Sequence, residues 1–66
     1  MKEAYQVIAE KVESTGITAA ELARRTSIHP VLLRNSLHGK RGLRADELVK
    51  LSRELNLEMS DFAEVA

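Results

Sequence analysis

Side chains able to form specific hydrogen bonds with nucleic-acid bases lie close together in the middle of the chain. Arg34 can bond bidentately to O6 and N7 of guanine, and Asn35 to N6 and N7 of adenine. Val31 can contact a thymine methyl group, and His29 adds a polar side chain just before it. We therefore take His29, Val31, Arg34 and Asn35 as candidate base-contacting residues. Other roles stay open: phosphate contact or solubility for Arg34, turn capping for Asn35 and surface packing for Val31.

A second group of cations follows in a loop flanked by glycines. Lys40 and Arg41 stand between Gly39 and Gly42. Flexible cations just beyond a helix that contacts bases would reach the backbone of the duplex rather than its base edges. The candidate phosphate-contacting residues are Thr18, His38, Lys40, Arg41 and Arg44.

Other kinds of site find little support in the sequence. His29 and His38 lie nine residues apart near opposite ends of one predicted helix, and there is no cysteine to complete a metal site. No serine or carboxylate stands at a spacing that indicates a nucleophile with its base, and so short a helical chain leaves little room for a water-excluding cleft. We therefore expect no enzyme activity, metal, cofactor or small-molecule ligand.

The charges are segregated along a chain whose net charge is zero. Residues 22–45 include six Arg and Lys residues and no acid, whereas all ten acids lie outside that stretch. A neutral average argues weakly against a nucleic-acid partner, but a basic centre produces a local field that the average conceals. A chance cluster on a solvated face is the alternative. Arg24 and Arg25 are adjacent on a predicted helix, so at most one of them should face DNA.

Short helices must position these residues. Apolar residues at helical spacing predict a first helix over about 2–14, ended by Gly16. Thr18 and Glu21 form a capping-box pattern, in which the Thr18 hydroxyl accepts from the Glu21 amide and the Glu21 carboxylate reaches back to the Thr18 amide. This pattern starts a second helix at Ala19.

The rest of the chain also predicts helices. A break at residues 26–28 is followed by a helix from Pro30 to about residue 37, because proline is tolerated at the first helical position. A further helix covers about 45–55, and a last short helix begins after Ser60. No alternating run is long enough to predict a strand.

These elements predict an all-α single domain over residues 1–66, a compact bundle of about five short helices with a helix-turn-helix unit at about 18–39. The chain has no cysteine, no apolar run long enough to span a bilayer and no signal peptide at its start, so we expect a soluble cytoplasmic protein. Met59, Phe62 and Val65 either cover the core or form a self-association surface. The predicted core consists of Ile8, Val12, Leu22, Ala23, Ile28, Leu33, Leu48, Leu51 and Leu55.

The segment TAAELARRTSIHPVLLRNSLHGKRGLRADELVKLSRELNL, residues 18–57, resembles the lambda-repressor and Cro-like (XRE-type) helix-turn-helix regulators. The resemblance implies that the helix at 30–37 lies in the major groove, which is the docking mode known for lambda repressor and Cro. The residues that match the family are Leu22, Ala23, Ile28, Leu33, the Gly39-Lys40-Arg41 loop, the helix from Leu48 to Leu55, and Leu57.

Three positions depart from the family pattern. Ser27 replaces the usual turn glycine, and a non-glycine residue in a left-handed conformation costs about 1–2 kcal/mol. Pro30 replaces a glutamine that often contacts a base, so base contacts must shift to neighbouring residues. Ser36 replaces an apolar residue, which predicts lighter packing under the second helix of the unit.

The sequence thus predicts a sequence-specific DNA-binding transcriptional regulator, a small phage-type or bacterial repressor that works as a homodimer on a near-palindromic operator. The alternative is a protein-interaction module on the same fold, such as an antitoxin or an accessory subunit. The neutral net charge, Pro30 and the apolar run Val31-Leu32-Leu33 favour that alternative.

Overall fold

The computed structural model describes residues 2–65 and consists of four α-helices and one 3₁₀ turn. The helices are α1 (Ala4–Thr15), α2 (Ala19–Thr26), α3 (Pro30–Leu37) and α4 (Ala45–Glu54). The 3₁₀ turn (Met59–Phe62) replaces the last predicted helix and begins one residue before Ser60. Within residues 2–65 there is no strand, only an isolated parallel bridge between Lys2 and Val65. The all-α class is confirmed, with helix bounds within two residues of those predicted.

The start of α2 forms only half of the expected capping box. Thr18 Oγ1 accepts a hydrogen bond from the Glu21 amide at 3.1 Å, as predicted. The Glu21 carboxylate does not return to the Thr18 amide, because it accepts from Nε and Nη2 of Arg24, each at 2.7 Å. The expectation of a reciprocal box was therefore wrong: an arginine one turn along the helix competes for the carboxylate.

The turn before α3 contains a left-handed residue although serine stands where glycine is usual. Ser27 adopts φ 59° and ψ 28°, the left-handed conformation in which glycine is favoured. His29 caps α3, its Nδ1 accepting from the Val31 amide at 3.2 Å, and Pro30 occupies the first helical position. Proline has no backbone N–H, so no donor is left without a hydrogen-bond partner at that residue.

The end of α3 is fixed by Gly39. Its backbone has φ 75°, and the amides of Gly39 and Lys40 donate to the carbonyls of Ser36 and Asn35 at 3.1 and 2.9 Å. This is the Schellman arrangement that satisfies the last carbonyls of a helix. A Cβ on Gly39 would lie 2.7 Å from Cζ of Tyr5, so glycine also allows α1 to pack against this end of α3.

The core lies between the helices, with α2 packed against α3 and α4, and α1 against α3 and the 3₁₀ turn. Val12 and Leu48 were expected inside but are half-buried at its edge, whereas Val7 is buried and was not predicted. Phe62 packs against the core, but Met59 is 91% exposed and does not cover it. The core residues are Ile8, Leu22, Ala23, Ile28, Leu33, Leu51 and Leu55.

The two ends of the described chain meet beside α1. The Lys2 amide donates to the Glu64 carbonyl at 3.1 Å, and Lys2 Nζ donates to Glu10 Oε1 at 2.9 Å. The hydrogen bond that Lys2 donates to Glu10 raises the pKa of Lys2 above its usual value. None of the helices described is both long and apolar enough to cross a bilayer.

Candidate nucleic-acid interface

One face of α3 is inside the protein and the opposite face is open. Leu33 and Ser36 are fully buried, which fixes the inward direction of the helix. At about 100° per residue, Val31, Arg34 and Asn35 then lie on the outward side. Val31 is 50% exposed, Arg34 is exposed and Asn35 is half-buried. The fold therefore brings these three candidate base-contacting residues to one surface.

The side chains of Arg34 and Asn35 form no hydrogen bond or ion pair with the part of the chain that the structure describes. Among residues 2–65, Arg34 takes part in none of the ion pairs, and no side-chain hydrogen bond involves the Asn35 carboxamide. The backbone carbonyl of Asn35, rather than its side chain, accepts from Lys40 at the helix end. Both side chains therefore retain their full hydrogen-bonding capacity for a ligand.

His29 differs from these residues because its imidazole is partly committed to the helix. Its Nδ1 accepts from the Val31 amide, so the other nitrogen, Nε2, carries the hydrogen of the neutral ring. His29 and the adjacent Pro30 are exposed at the start of α3. The residue is thus oriented by the cap, with one donor left at the ring edge.

The loop cations occupy different environments. Lys40 is exposed, as is His38 at the end of α3. Arg44 is also exposed, with its Nε 3.4 Å from Asp46 Oδ1 in a surface ion pair. Such pairs are weak and leave the cation able to exchange partners.

Arg41 is engaged inside the protein, in contrast to the flexible loop cation that the sequence suggested. Its Nη1 donates to Ser36 Oγ at 2.8 Å, and its Nη2 donates to Glu47 Oε2 at 2.9 Å. We call these contacts the Ser36–Arg41–Glu47 bridge. The buried hydroxyl of Ser36, at a position where packing was expected to be light, therefore lies against a guanidinium group. Whether Arg41 also contacts phosphate stays a prediction.

Glu47 is buried at the start of α4 and serves two partners. While Oε2 accepts from Arg41, Oε1 accepts the Arg44 amide at 3.0 Å and caps the helix. These hydrogen bonds, that from Arg41 above all, hold the pKa of Glu47 below its usual value despite burial. The carboxylate is therefore ionised at neutral pH and balances the charge of Arg41.

The two arginines of α2, Arg24 and Arg25, differ in their contacts. Arg24 is held by Glu21 on the same helix, through two hydrogen bonds to its carboxylate. Arg25 is exposed, and no ion pair among residues 2–65 includes it. Both side chains are exposed, and whether either of them faces DNA stays a prediction.

A family model described as the Cro/C1-type helix-turn-helix DNA-binding domain matches residues 8–66. The chain belongs to this Cro/C1-type family. Membership supports a DNA-binding regulator and makes DNA the expected partner. The comparison with curated proteins gave no significant match, and neither did the comparison with solved structures.

Sequence reasoning missed two contacts of this Cro/C1-type domain, both of which hold α3 in place. One is the approach of Tyr5 to Gly39, and the other is the Ser36–Arg41–Glu47 bridge. The one available signal for the second was a polar residue, Ser36, at a position of α3 that faces inward. A buried hydroxyl requires a partner, and a search for a donor in the following loop would have reached Arg41.

Proposed function

We propose that this domain is a sequence-specific transcriptional repressor that inserts α3 into the major groove of its operator. The observation that carries the proposal is the outward face of α3, where Val31, Arg34 and Asn35 lie together with their side chains unengaged among the residues described. Repression then follows from occupancy, since a bound domain excludes other proteins from the same stretch of DNA.

The base contacts come from His29, just before α3, and from residues 31–35 of the helix. Arg34 is the principal reader, bonding O6 and N7 of guanine through two parallel N–H groups. Asn35 bonds an adjacent adenine, Val31 contacts a thymine methyl group, and His29 donates from Nε2. Pro30 lies among them and adds no donor, so base recognition rests on its neighbours.

The phosphate contacts flank α3 on both sides. Lys40, Arg44 and His38 contact the backbone beyond the end of the helix. Thr18 contributes its amide at the start of α2, since Glu21 does not bond it. Arg41 still has donors beyond the two that bond Ser36 and Glu47, although its charge is already balanced.

The working form that we propose is a homodimer on a near-palindromic operator. Half-sites for this docking mode lie about 34–36 Å apart. The Cα extents of the domain are 27 × 22 × 20 Å, which is smaller than this spacing, so two copies fit side by side on successive half-sites.

The experiment that tests the proposal is a titration of the protein against random duplex DNA at several salt concentrations. A protein that neutralises phosphates loses affinity with a log–log slope of about −0.9 per phosphate. We expect a slope of about −2 to −4 for a monomer in which two to four of the cations named above contact phosphates, followed by enrichment of one sequence upon selection from a random library. Absence of any salt-dependent binding would contradict the proposal.

A protein-interaction module is the second candidate, and exposed apolar residues favour it. Leu32 is 42% exposed beside Val31 on α3. On another side, Val49 and Met59 are exposed at a groove between α4 and the 3₁₀ turn. If the titration fails, association of the domain with a protein through one of these surfaces becomes the better explanation.

A further inference from the structure

The Ser36–Arg41–Glu47 bridge connects three parts of the chain around the basic loop. Ser36 belongs to the inner face of α3, Arg41 to the middle of the loop, and Glu47 to the first turn of α4. The second oxygen of Glu47 accepts the amide of Arg44, where the loop ends. Side-chain contacts thus fix the middle and the end of the loop to the helices on either side.

We propose that Arg41 is a positioning residue that fixes the basic loop against α3, so that Lys40 and Arg44 meet the DNA backbone while α3 occupies the groove. This inference rests on the proposed DNA-binding function. It also assigns Arg41 a different task from the phosphate contact that the sequence suggested: its charge is used by Glu47, and the salt-dependent contacts belong to its neighbours.

Burial makes the bridge hard to replace. Ser36 is fully buried, and the side chains of Arg41 and Glu47 are 25% and 11% exposed. No buried side-chain nitrogen or oxygen among residues 2–65 lacks a hydrogen-bond partner. Loss of the guanidinium would leave a buried hydroxyl without its donor and a buried carboxylate without its counter-ion, which is unfavourable.

The shape of the guanidinium suits this task. Two separate nitrogens of Arg41 bond two acceptors that lie on different helices. Arginine presents its donors in a rigid planar fork, whereas a lysine ammonium is a single point charge on a flexible chain. Lysine at this position would therefore retain the charge but would not hold both partners.

The bridge also restrains Lys40, because Lys40 is adjacent to Arg41 in the chain and has one other contact that fixes its position. Its amide donates to the carbonyl of Asn35 at the end of α3. The residues from His38 to Arg44 form no helix or strand, so their course depends on such contacts. With Arg41 bonded, Lys40 is held between a helix end and the bridge, close to the groove-facing surface of α3.

The effect of Glu47→Gln on DNA affinity distinguishes a positioning role of Arg41 from a phosphate contact by Arg41. Removal of an acid near a DNA-binding surface ordinarily strengthens binding, since it reduces repulsion of phosphates. If the bridge positions the loop, Glu47→Gln instead weakens binding. Arg41→Lys gives a second contrast: it preserves a phosphate contact but not the bridge.

The experiment measures the Kd for a duplex selected by the wild-type protein. The variants are Arg41→Gln, Glu47→Gln, their double variant and Arg41→Lys, with Glu54→Gln as an exposed acid on the same helix for control. We expect each single change of the bridge to weaken binding about fivefold, and the double variant to be within about twofold of the weaker single, because both remove one interaction. Glu54→Gln should bind at least as tightly as wild type.

Ser36→Ala extends the test to a variant that preserves both charges and should remain folded if a charge variant does not. We expect it to weaken binding about threefold. Tighter binding by Glu47→Gln, unchanged binding by Arg41→Lys or Ser36→Ala, or additive effects in the double variant would overturn the role of Arg41. If those results came with salt-dependent binding of the wild type, the proposed function would stand; absence of binding by the wild type would overturn both.

Discussion

Glu47 links the stability of the domain to pH through a single buried carboxylate. Its hydrogen bonds to Arg41 and the Arg44 amide lower its pKa in the folded state. A carboxyl group with a lowered folded pKa stabilises the protein in its ionised form. This stabilisation is fully present above the pH at which the group titrates in the unfolded chain, near 4.5, and is lost as the pH falls through the folded pKa.

The pH dependence of unfolding tests this account. We expect the wild-type free energy of unfolding to decrease as the pH is lowered from about 6 to 3, and Glu47→Gln to show a shallower decrease because the titrating group is gone. Chemical denaturation at a series of pH values measures both. Glu54→Gln is the control, and an identical pH dependence in wild type and Glu47→Gln would contradict the assignment.

The helix ends that the sequence predicted are those set by residues at or next to the end itself. Thr18, Pro30 and the glycines act on their own neighbours, so their effects can be read from adjacent residues. Glu21 was assigned the wrong partner because Arg24, one turn along, competes for its carboxylate. The Ser36–Arg41–Glu47 bridge joins two helices through a loop, and no local pattern specifies which acid an arginine reaches across that distance.

The contact between α1 and the end of α3 can be tested at two glycines. Gly16 and Gly39 have nearly the same backbone, φ 76° and 75°, but only Gly39 has a side chain in the way, that of Tyr5. Gly16→Ala should cost about 1–2 kcal/mol of stability for the left-handed conformation. Gly39→Ala should cost about 1–3 kcal/mol more, because the methyl group displaces Tyr5. Thermal or chemical unfolding gives both values, and equal losses would show that the Tyr5 contact is unimportant.

At the scale of the whole molecule, the helix content and most of the core followed from apolar periodicity, whereas the family followed from the resemblance of residues 18–57. The errors lie at the edge of the core, where Val12 and Leu48 are half-buried and Val7 is buried. A helical pattern gives the direction of a face, but the neighbouring element decides how far that face is covered. The expected homodimer stays a prediction for the same reason, since a pattern does not show which surface a second copy covers.

The core itself is tested at Leu51, which is fully buried. Leu51→Ala should destabilise the domain by about 2–5 kcal/mol because it removes buried methyl groups and leaves a cavity. Val49→Ala, on the same helix but 52% exposed, is the control and should change stability by less than about 1 kcal/mol. Denaturant unfolding of the two variants measures the difference, and similar stabilities would contradict the packing of α4.

The central claim is that α3 reads base sequence while the loop holds phosphates, and a comparison of Arg34→Ala with Lys40→Ala tests it most directly. Each variant is titrated against the selected duplex, a single-base mismatch and random DNA at several salt concentrations. Arg34→Ala should lose about 1–3 kcal/mol on the selected duplex and lose its preference at one base pair. Lys40→Ala should weaken binding to all three about equally and reduce the salt slope by about one. A uniform loss with base preference intact in Arg34→Ala would make Arg34 a phosphate contact and contradict the account.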